Sequence, residues 1–131
     1  MEINYLAVLL SALSGFFLGF IWYTLIFSKP WQRLIGMSHG SLKEIGPNMG
    51  KLLVTSFILQ FLMALNLSIF IGSEASASLG LLIGLMTGLG FVSLSFGVSY
   101  LFEGRPLKLW LINAGYYTLL FSVSGLIIGA F

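Results

Sequence analysis

The stretch FIWYTLIFSKPWQRL, residues 20–34, passes abruptly from an apolar, aromatic run into lysine, proline, tryptophan and arginine. The run begins well before it, because residues 3–28 contain no Asp, Glu, Lys or Arg. A helix needs only ~20 apolar residues to cross a ~30 Å hydrocarbon core. The stretch therefore predicts a helix that leaves a membrane where the basic residues begin.

The composition supports a membrane as the surrounding solvent. Of 131 residues, 58% are hydrophobic and 8% are charged, whereas roughly 25% of a soluble domain is charged. Six Lys and Arg residues against four acids are too few for a nucleic-acid interface. The absence of cysteine excludes disulfides and thiolate sites. We predict an integral membrane protein.

Three further uncharged runs have the length of a membrane span. Lipid offers no hydrogen-bond partners, so backbone groups must be paired inside each run, which favours helices over strands. We predict one all-α domain over residues 1–131, an integral membrane bundle of four transmembrane helices. The predicted helices cover about residues 3–28, 52–73, 76–102 and 109–130. The first is expected to be an uncleaved span, because it lacks the basic start and short apolar core of a signal peptide.

The basic residues predict one orientation. All of them border or occupy the loop at 29–51 or the turn between the third and fourth helices: Lys29, Arg33, Lys43, Lys51, Arg105 and Lys108. By the positive-inside rule, both loops are expected to be cytoplasmic, with both termini and Glu74 outside the cell membrane. The expected interface anchors are Trp22, Lys29, Trp31, Arg33, Lys108 and Trp110.

The first loop is expected to contain a short interfacial helix. Pro30 suits the first turn of a helix, and Trp31 and Leu34 fall on one face of it. We expect residues 28–50 to lie along the cytoplasmic membrane surface.

Two predicted helices carry small residues at four-residue spacing: Ser11, Gly15 and Gly19 on the first, and Gly80, Gly84 and Gly88 on the third. Small residues allow helix backbones to approach closely in lipid. We expect close contacts by helices one and three, either within the chain or as the seam of a homodimer.

Two similar segments raise the question of an internal duplication. SKPWQRL at 28–34 and GRPLKLW at 104–110 each place a base, a proline and a second base after a helix of the same direction. A parallel two-plus-two helix repeat is one explanation. The other explanation is that the two segments became similar independently, because both anchor a helix end at the membrane surface.

Ionisable side chains are absent from the depth of every predicted span. This argues against a proton-coupled transporter, because intramembrane charges mark such pathways. His39 is a lone loop histidine without a carboxylate pair or cysteine at ligand spacing, and no catalytic motif is present. We expect no metal, no cofactor, no nucleic-acid partner and no enzymatic activity.

Uncharged polar side chains are expected at similar depth toward the cytoplasmic side, at 1.5 Å per residue. They are Tyr23, Gln60, Ser95, Ser99, Asn113 and Tyr116. One interpretation is an aromatic belt with interhelical hydrogen bonds. The other is a polar vestibule, open to the cytoplasm, that binds a small polar solute or a lipid headgroup.

Glu103 is an acid at the C-terminal end of the third helix, where the helix dipole disfavours negative charge. An ion pair with Arg105 is expected to compensate. A binding role for Glu103 is the alternative.

Several segments resemble the DUF1761 family, a domain of unknown function. They are Trp22-Tyr23, Phe27, Lys29-Pro30-Trp31, Gly36, Phe102-Glu103-Gly104-Arg105, Asn113 and Gly115-Tyr116. The resemblance covers nearly the whole chain and implies a small four-helix membrane protein without an assigned activity. Family members often continue Trp-Tyr with a small residue and a proline. Thr24-Leu25 stands there instead, so helix one is expected to lack a kink near its cytoplasmic end.

The sequence therefore predicts a small multi-pass membrane protein with a structural, interaction or lipid-binding role. Its expected partners are membrane lipids and, as a homodimer, a second copy. The alternative function is a carrier or channel for a small uncharged or polar solute.

Overall fold

The computed structural model describes residues 3–34 and 49–131. All regular elements in these two ranges are helical. The α-helices are α1 Tyr5–Phe20, α2 Ser28–Leu34, α3 Met49–Ile71, α4 Ala77–Thr87, α5 Leu94–Glu103 and α6 Leu107–Ala130. Two π-helical segments continue α1 and join α4 to α5: Ile21–Ile26 and Gly88–Ser93.

Four continuous helical stretches are long and apolar enough to cross a membrane. In chain order, the first to fourth spans are Tyr5–Ile26, Met49–Ile71, Ala77–Glu103 and Leu107–Ala130. The predicted all-α class with four membrane-spanning helices is confirmed.

The bundle has two chemically different ends. Asn4 Nδ2 donates a hydrogen bond to the backbone oxygen of Phe131 at 3.3 Å, which joins the start of the first span to the end of the fourth at the terminal end. The described basic residues lie at the opposite, basic end: Lys29, Arg33, Lys51, Arg105 and Lys108. Lys43, His39 and Gly36 lie outside the described residues.

The first loop begins with the helix that the sequence predicts. α2 starts at Ser28 and contains Pro30 in its first turn, where the missing N–H and fixed φ of proline are tolerated. The remainder of the predicted surface segment, residues 35–48, lies outside the described residues.

The fourth span is the axis of the bundle. Far more of it is buried than of any other span. The first and third spans both pack against it, and the second packs mainly against the first. The predicted stripes of small residues therefore bring helices one and three to helix four.

The third and fourth spans meet backbone to backbone. A methyl group built on Gly84 would overlap the carbonyl oxygen of Phe121, and one built on Gly80 would overlap that of Gly125. Gly125 in turn faces the carbonyl oxygen of Gly80. Such an approach requires that at least one of the two helices has no side chain at the contact, and close packing of this kind is a main source of stability between helices in lipid.

The first span uses its small residues against two neighbours. Ser11 Oγ donates to a backbone carbonyl of the fourth span at 3.4 Å. Gly15 faces Gln60 of the second span, and Gly19 faces the Tyr116 hydroxyl. Both predicted stripes lie at contacts within the chain, so the structure favours intramolecular packing over a homodimer seam at these residues.

In the π segment of the third span, buried side chains donate hydrogen bonds to backbone carbonyl groups. Ser93 is fully buried, and its Oγ donates to the carbonyl oxygen of Gly88 at 2.7 Å. The indole N–H of Trp110 donates to the carbonyl oxygen of Ser93 at 2.7 Å. Backbone groups that leave the α-helical pattern thus find partners without water, as lipid requires.

The first span also departs from α geometry, at the position where the resemblance predicted an unkinked helix. Residues Ile21–Ile26 are π-helical, and Thr24 Oγ1 donates to the carbonyl oxygen of Phe20. A hydroxyl bonded one turn back perturbs a helix. The irregularity therefore forms without a proline.

The packing around the fourth span bears on the predicted duplication. A parallel repeat of spans one–two and three–four would bring the second span as close to the third as the fourth is to the first. The fourth span packs closely on the first, whereas the second and third spans barely meet. This asymmetry favours convergence of SKPWQRL and GRPLKLW.

We expect Gly84→Leu to destabilise the protein, because the new side chain would meet the backbone at Phe121 and separate two spans. The free energy of unfolding, measured by denaturant titration in detergent micelles, is expected to fall by about 3 kcal/mol. Gly90→Leu in the same span is the control, since nothing lies within 4 Å of that position, and it should change stability by less than about 0.5 kcal/mol. Equal losses for the two variants would contradict the backbone contact.

Candidate functional site at the basic end

A cavity of about 380 Å³ lies at the basic end, between α2 and the first, third and fourth spans. Its lining is mainly aromatic, with one guanidinium and one amide. The lining residues are Tyr23, Trp31, Phe96, Tyr100, Arg105, Asn113 and Tyr117. We call this cavity the aromatic pocket.

The Asn113 side chain links three spans inside the pocket. The Tyr23 hydroxyl donates to Asn113 Oδ1 at 2.6 Å, and Asn113 Nδ2 donates to the Tyr100 hydroxyl at 2.7 Å. Both ends of the amide are therefore used. Hydrogen bonds of this kind are stronger in a low-dielectric interior than in water, so the network fixes the first and third spans against the fourth.

Ring contacts fix the walls of the pocket. The Tyr23 ring centroid lies 4.8 Å from that of Trp31 and 5.2 Å from that of Tyr116. Phe96 stacks on Tyr100 with centroids 5.8 Å apart. All three distances lie within the ~4.5–7 Å of attractive aromatic pairs, so the rings are held in place by one another.

Arg105 brings a positive charge to the mouth of the pocket. Gly104 has φ +69° and ends the third span in the left-handed conformation, which glycine adopts without strain. The chain reverses there, and the Arg105 guanidinium lies 5.5 Å from the centroid of the Tyr100 ring.

The expected ion pair between Glu103 and Arg105 is present. Arg105 Nε lies 2.8 Å from Glu103 Oε2, and the two side chains are 45% and 51% exposed. An exposed pair contributes little to stability. The pair engages Nε of the Arg105 guanidinium.

Tyr116 closes the pocket toward the interior of the bundle. It is buried, and its hydroxyl donates to the carbonyl oxygen of Gly15 at 2.8 Å. Gln60 lies beside this hydroxyl and does not line the pocket. Gln60 Oε1 is buried and has no hydrogen-bond partner among the described residues.

The structure brings only part of the predicted vestibule together. Tyr23, Asn113 and Tyr116 are in contact, and Gln60 adjoins Tyr116 from the far side. The prediction for Ser95 and Ser99 requires correction, since both are exposed on the outer face of the third span. Ser95 Oγ instead donates to the carbonyl oxygen of Phe91 at 2.6 Å.

Five lining residues were absent from the predicted vestibule. Trp31 and Arg105 were predicted in other roles, as an interface anchor and an ion-pair partner. The remaining three were not predicted as site residues: Phe96, Tyr100 and Tyr117. A signal for them was present, because Phe96 and Tyr100, and likewise Asn113 and Tyr117, are four residues apart and share a helix face.

The tryptophans predicted as interface anchors also hold the bundle together. Trp22 Nε1 donates to the carbonyl oxygen of Ile112 at 2.9 Å, and its ring lies over Gly115. Trp110 joins the fourth span to the third through Ser93, and Trp31 is part of the pocket wall. The basic anchors are exposed at the basic end: Lys29, Arg33 and Lys108.

Within residues 3–34 and 49–131, no group of three His, Cys, Asp or Glu side chains could hold a metal ion. The chemistry of the site therefore rests on one guanidinium, one amide, hydroxyls and aromatic rings.

Four apolar spans around a central helix, with an aromatic pocket at the basic end, define a small multi-pass α-helical membrane protein. Residues 6–129 match the family described as protein of unknown function (DUF1761), and the chain belongs to that family. No curated protein and no solved structure matches the chain significantly. The segments that carry the family resemblance include Tyr23, Trp31, Arg105 and Asn113, all of which line the pocket.

We expect Asn113→Leu to lower the free energy of unfolding in detergent by about 1–2 kcal/mol, because the Tyr23 and Tyr100 hydroxyls would lose their partner. Ser95→Ala is the control and should leave stability within about 0.5 kcal/mol. A double-mutant cycle isolates the network: Tyr23→Phe should destabilise the Asn113→Leu protein less than the native one. Additive effects would contradict the Tyr23–Asn113 hydrogen bond.

Proposed function

We propose that this protein is a non-enzymatic membrane scaffold whose aromatic pocket binds the phosphate-bearing headgroup of a lipid. The observation that carries this proposal is the position of Arg105, half exposed at the mouth of an aromatic cavity among the basic residues of the bundle. Guanidinium groups bind phosphate oxygens through paired N–H donors.

The size and surroundings of the pocket suit such a ligand. A cavity of about 380 Å³ falls within the ~300–1,000 Å³ of small-molecule sites. Its rings offer the mixed apolar and polar surface that tryptophan and tyrosine present at headgroup depth. Lys29 and Lys108 are exposed at the same end and would attract anionic lipid to the mouth.

We propose further that the basic end faces the cytoplasm, as the positive-inside rule predicts. The cytoplasmic leaflet carries the anionic lipids of the membrane. The pocket would then open toward the leaflet in which its ligand is most abundant.

The composition of the pocket supports a binding role over catalysis. Among the described residues, its lining contains no carboxylate, histidine, cysteine or lysine, and these side chains supply the acid–base pairs and the activated nucleophiles of most enzymes. The Asn113 amide and the Tyr23 hydroxyl are already engaged with each other.

A carrier for a small polar solute is the second candidate, and Gln60 is the observation that favours it. An unpaired amide oxygen in a membrane interior is unusual, and a solute passing through the bundle would find a hydrogen-bond partner there. Such a path requires Tyr116 to leave its hydrogen bond with Gly15. The closed arrangement supports the scaffold with a headgroup site as the first candidate.

Arg105→Gln tests headgroup binding. Brominated phosphatidylglycerol in phosphatidylcholine vesicles quenches tryptophan fluorescence, and the part of the quenching that is lost on Trp31→Phe reports the anionic lipid that reaches Trp31. Arg105→Gln should weaken binding by about 10-fold or more, the loss expected for hydrogen bonds to a charged group. Lys108→Gln removes one charge outside the pocket and should weaken binding by no more than about 5-fold. Equal effects would show diffuse surface attraction and overturn the proposal.

A further inference from the structure

The second span presents a regular seam to the lipid. Five residues separated alternately by four and three positions all lie exposed on one face: Thr55, Leu59, Leu62, Asn66 and Ile69. Side chains that repeat every 3.5 residues form the contact line of left-handed helix pairs, and this geometry is common between membrane helices.

An amide lies within this seam. Asn66 is exposed, and its side chain forms no hydrogen bond to any residue in the described ranges. It lies five residues before the end of α3 at Ile71, which places it about 7–8 Å from the terminal end at 1.5 Å per residue. An amide that is left unpaired in hydrocarbon costs about 2–7 kcal/mol by transfer scales.

The other described elements leave this face uncovered. The second span packs on the first and barely meets the third. A mainly apolar groove of about 340 Å³ separates the second and third spans and includes Asn66 in its lining. The glycine stripes of the first and third spans are already used within the chain, whereas the seam is free for association.

We propose that the seam pairs with the same seam of a second copy, so that the protein is a parallel homodimer joined at Asn66. Copies inserted in the same direction are related by a two-fold axis along the membrane normal, which brings the two Asn66 side chains to equal depth. A carboxamide is both donor and acceptor and is therefore complementary to itself. A single Asn at a seam position also fixes register and the number of helices. This inference does not depend on the headgroup site.

The absence of native cysteine allows the seam to be mapped by oxidative cross-linking in vesicles. Leu62→Cys and Ile69→Cys should each give a disulfide-linked species of twice the chain mass. Phe17→Cys and Leu94→Cys, on lipid-facing positions of the first and third spans, should give little. Cross-linking no greater at the seam than at the controls, or adducts of a different mass, would overturn the proposal.

Asn66→Leu tests the amide itself. Energy transfer between labelled copies, measured against protein density in vesicles, should show a dissociation constant raised by about 3- to 30-fold, the range of one interhelical hydrogen bond in lipid. Asn66→Gln should retain most of the affinity. Ser95→Leu removes an exposed polar group from the third span and should leave the constant unchanged. An unaltered constant for Asn66→Leu would contradict pairing through Asn66.

Discussion

The backbone contact between the third and fourth spans constrains the rest of this protein. Lipid provides no hydrophobic drive between helices, so association depends on how closely the helix surfaces fit. Gly80 and Gly84 meet the backbone of the fourth span, and Gly125 completes the contact from the other side. Once these backbones touch, the fourth span becomes the central helix on which the first span also packs.

The aromatic pocket follows from this arrangement. The close contact toward the terminal end aligns the third span so that Phe96 and Tyr100 face Asn113 at the basic end. Trp22 of the first span donates a hydrogen bond to a backbone carbonyl of the fourth span. Trp110 of the fourth span donates one to a backbone carbonyl of the third. Because these side chains are paired inside the bundle, rings with fixed positions bound the cavity. The charged side chain of Arg105 lies at its mouth. Preorganisation of this kind lowers the entropy lost on binding.

The sequence predicts the membrane class well, because an uncharged run of span length has few stable forms other than a helix in lipid. The four spans, the helix after Ser28 and the pair Glu103–Arg105 follow from local patterns. Tyr23 and Asn113 could be placed at one depth by counting along the helices. Their contact across 90 positions of sequence depends on which faces of the helices meet.

The sequence did not predict how each helix is rotated about its own axis. A π segment adds a residue to the turn and rotates everything that follows it. Ser95 and Ser99 follow the π segment Gly88–Ser93 in the chain. Counting residues with ideal α geometry therefore does not predict that Phe96 and Tyr100 face inward in their place. The sequence also did not predict which helix each glycine stripe contacts, because small residues permit close approach to any neighbouring helix. The exposure of Asn66 could not be predicted from the neighbouring sequence, because an amide within a span can also form a hydrogen bond inside the bundle.

The central claim is that close packing around the fourth span closes the bundle below the aromatic pocket. Single cysteines at Arg105, Phe96 and Gln60, treated with a membrane-impermeant thiol reagent from each side of sealed vesicles, test this most directly. We predict that Arg105→Cys and Phe96→Cys react from the side that the basic end faces and that Gln60→Cys reacts from neither side. Reaction of Gln60→Cys at a rate comparable to Phe96→Cys would show water beyond Tyr116 and contradict the closed bundle.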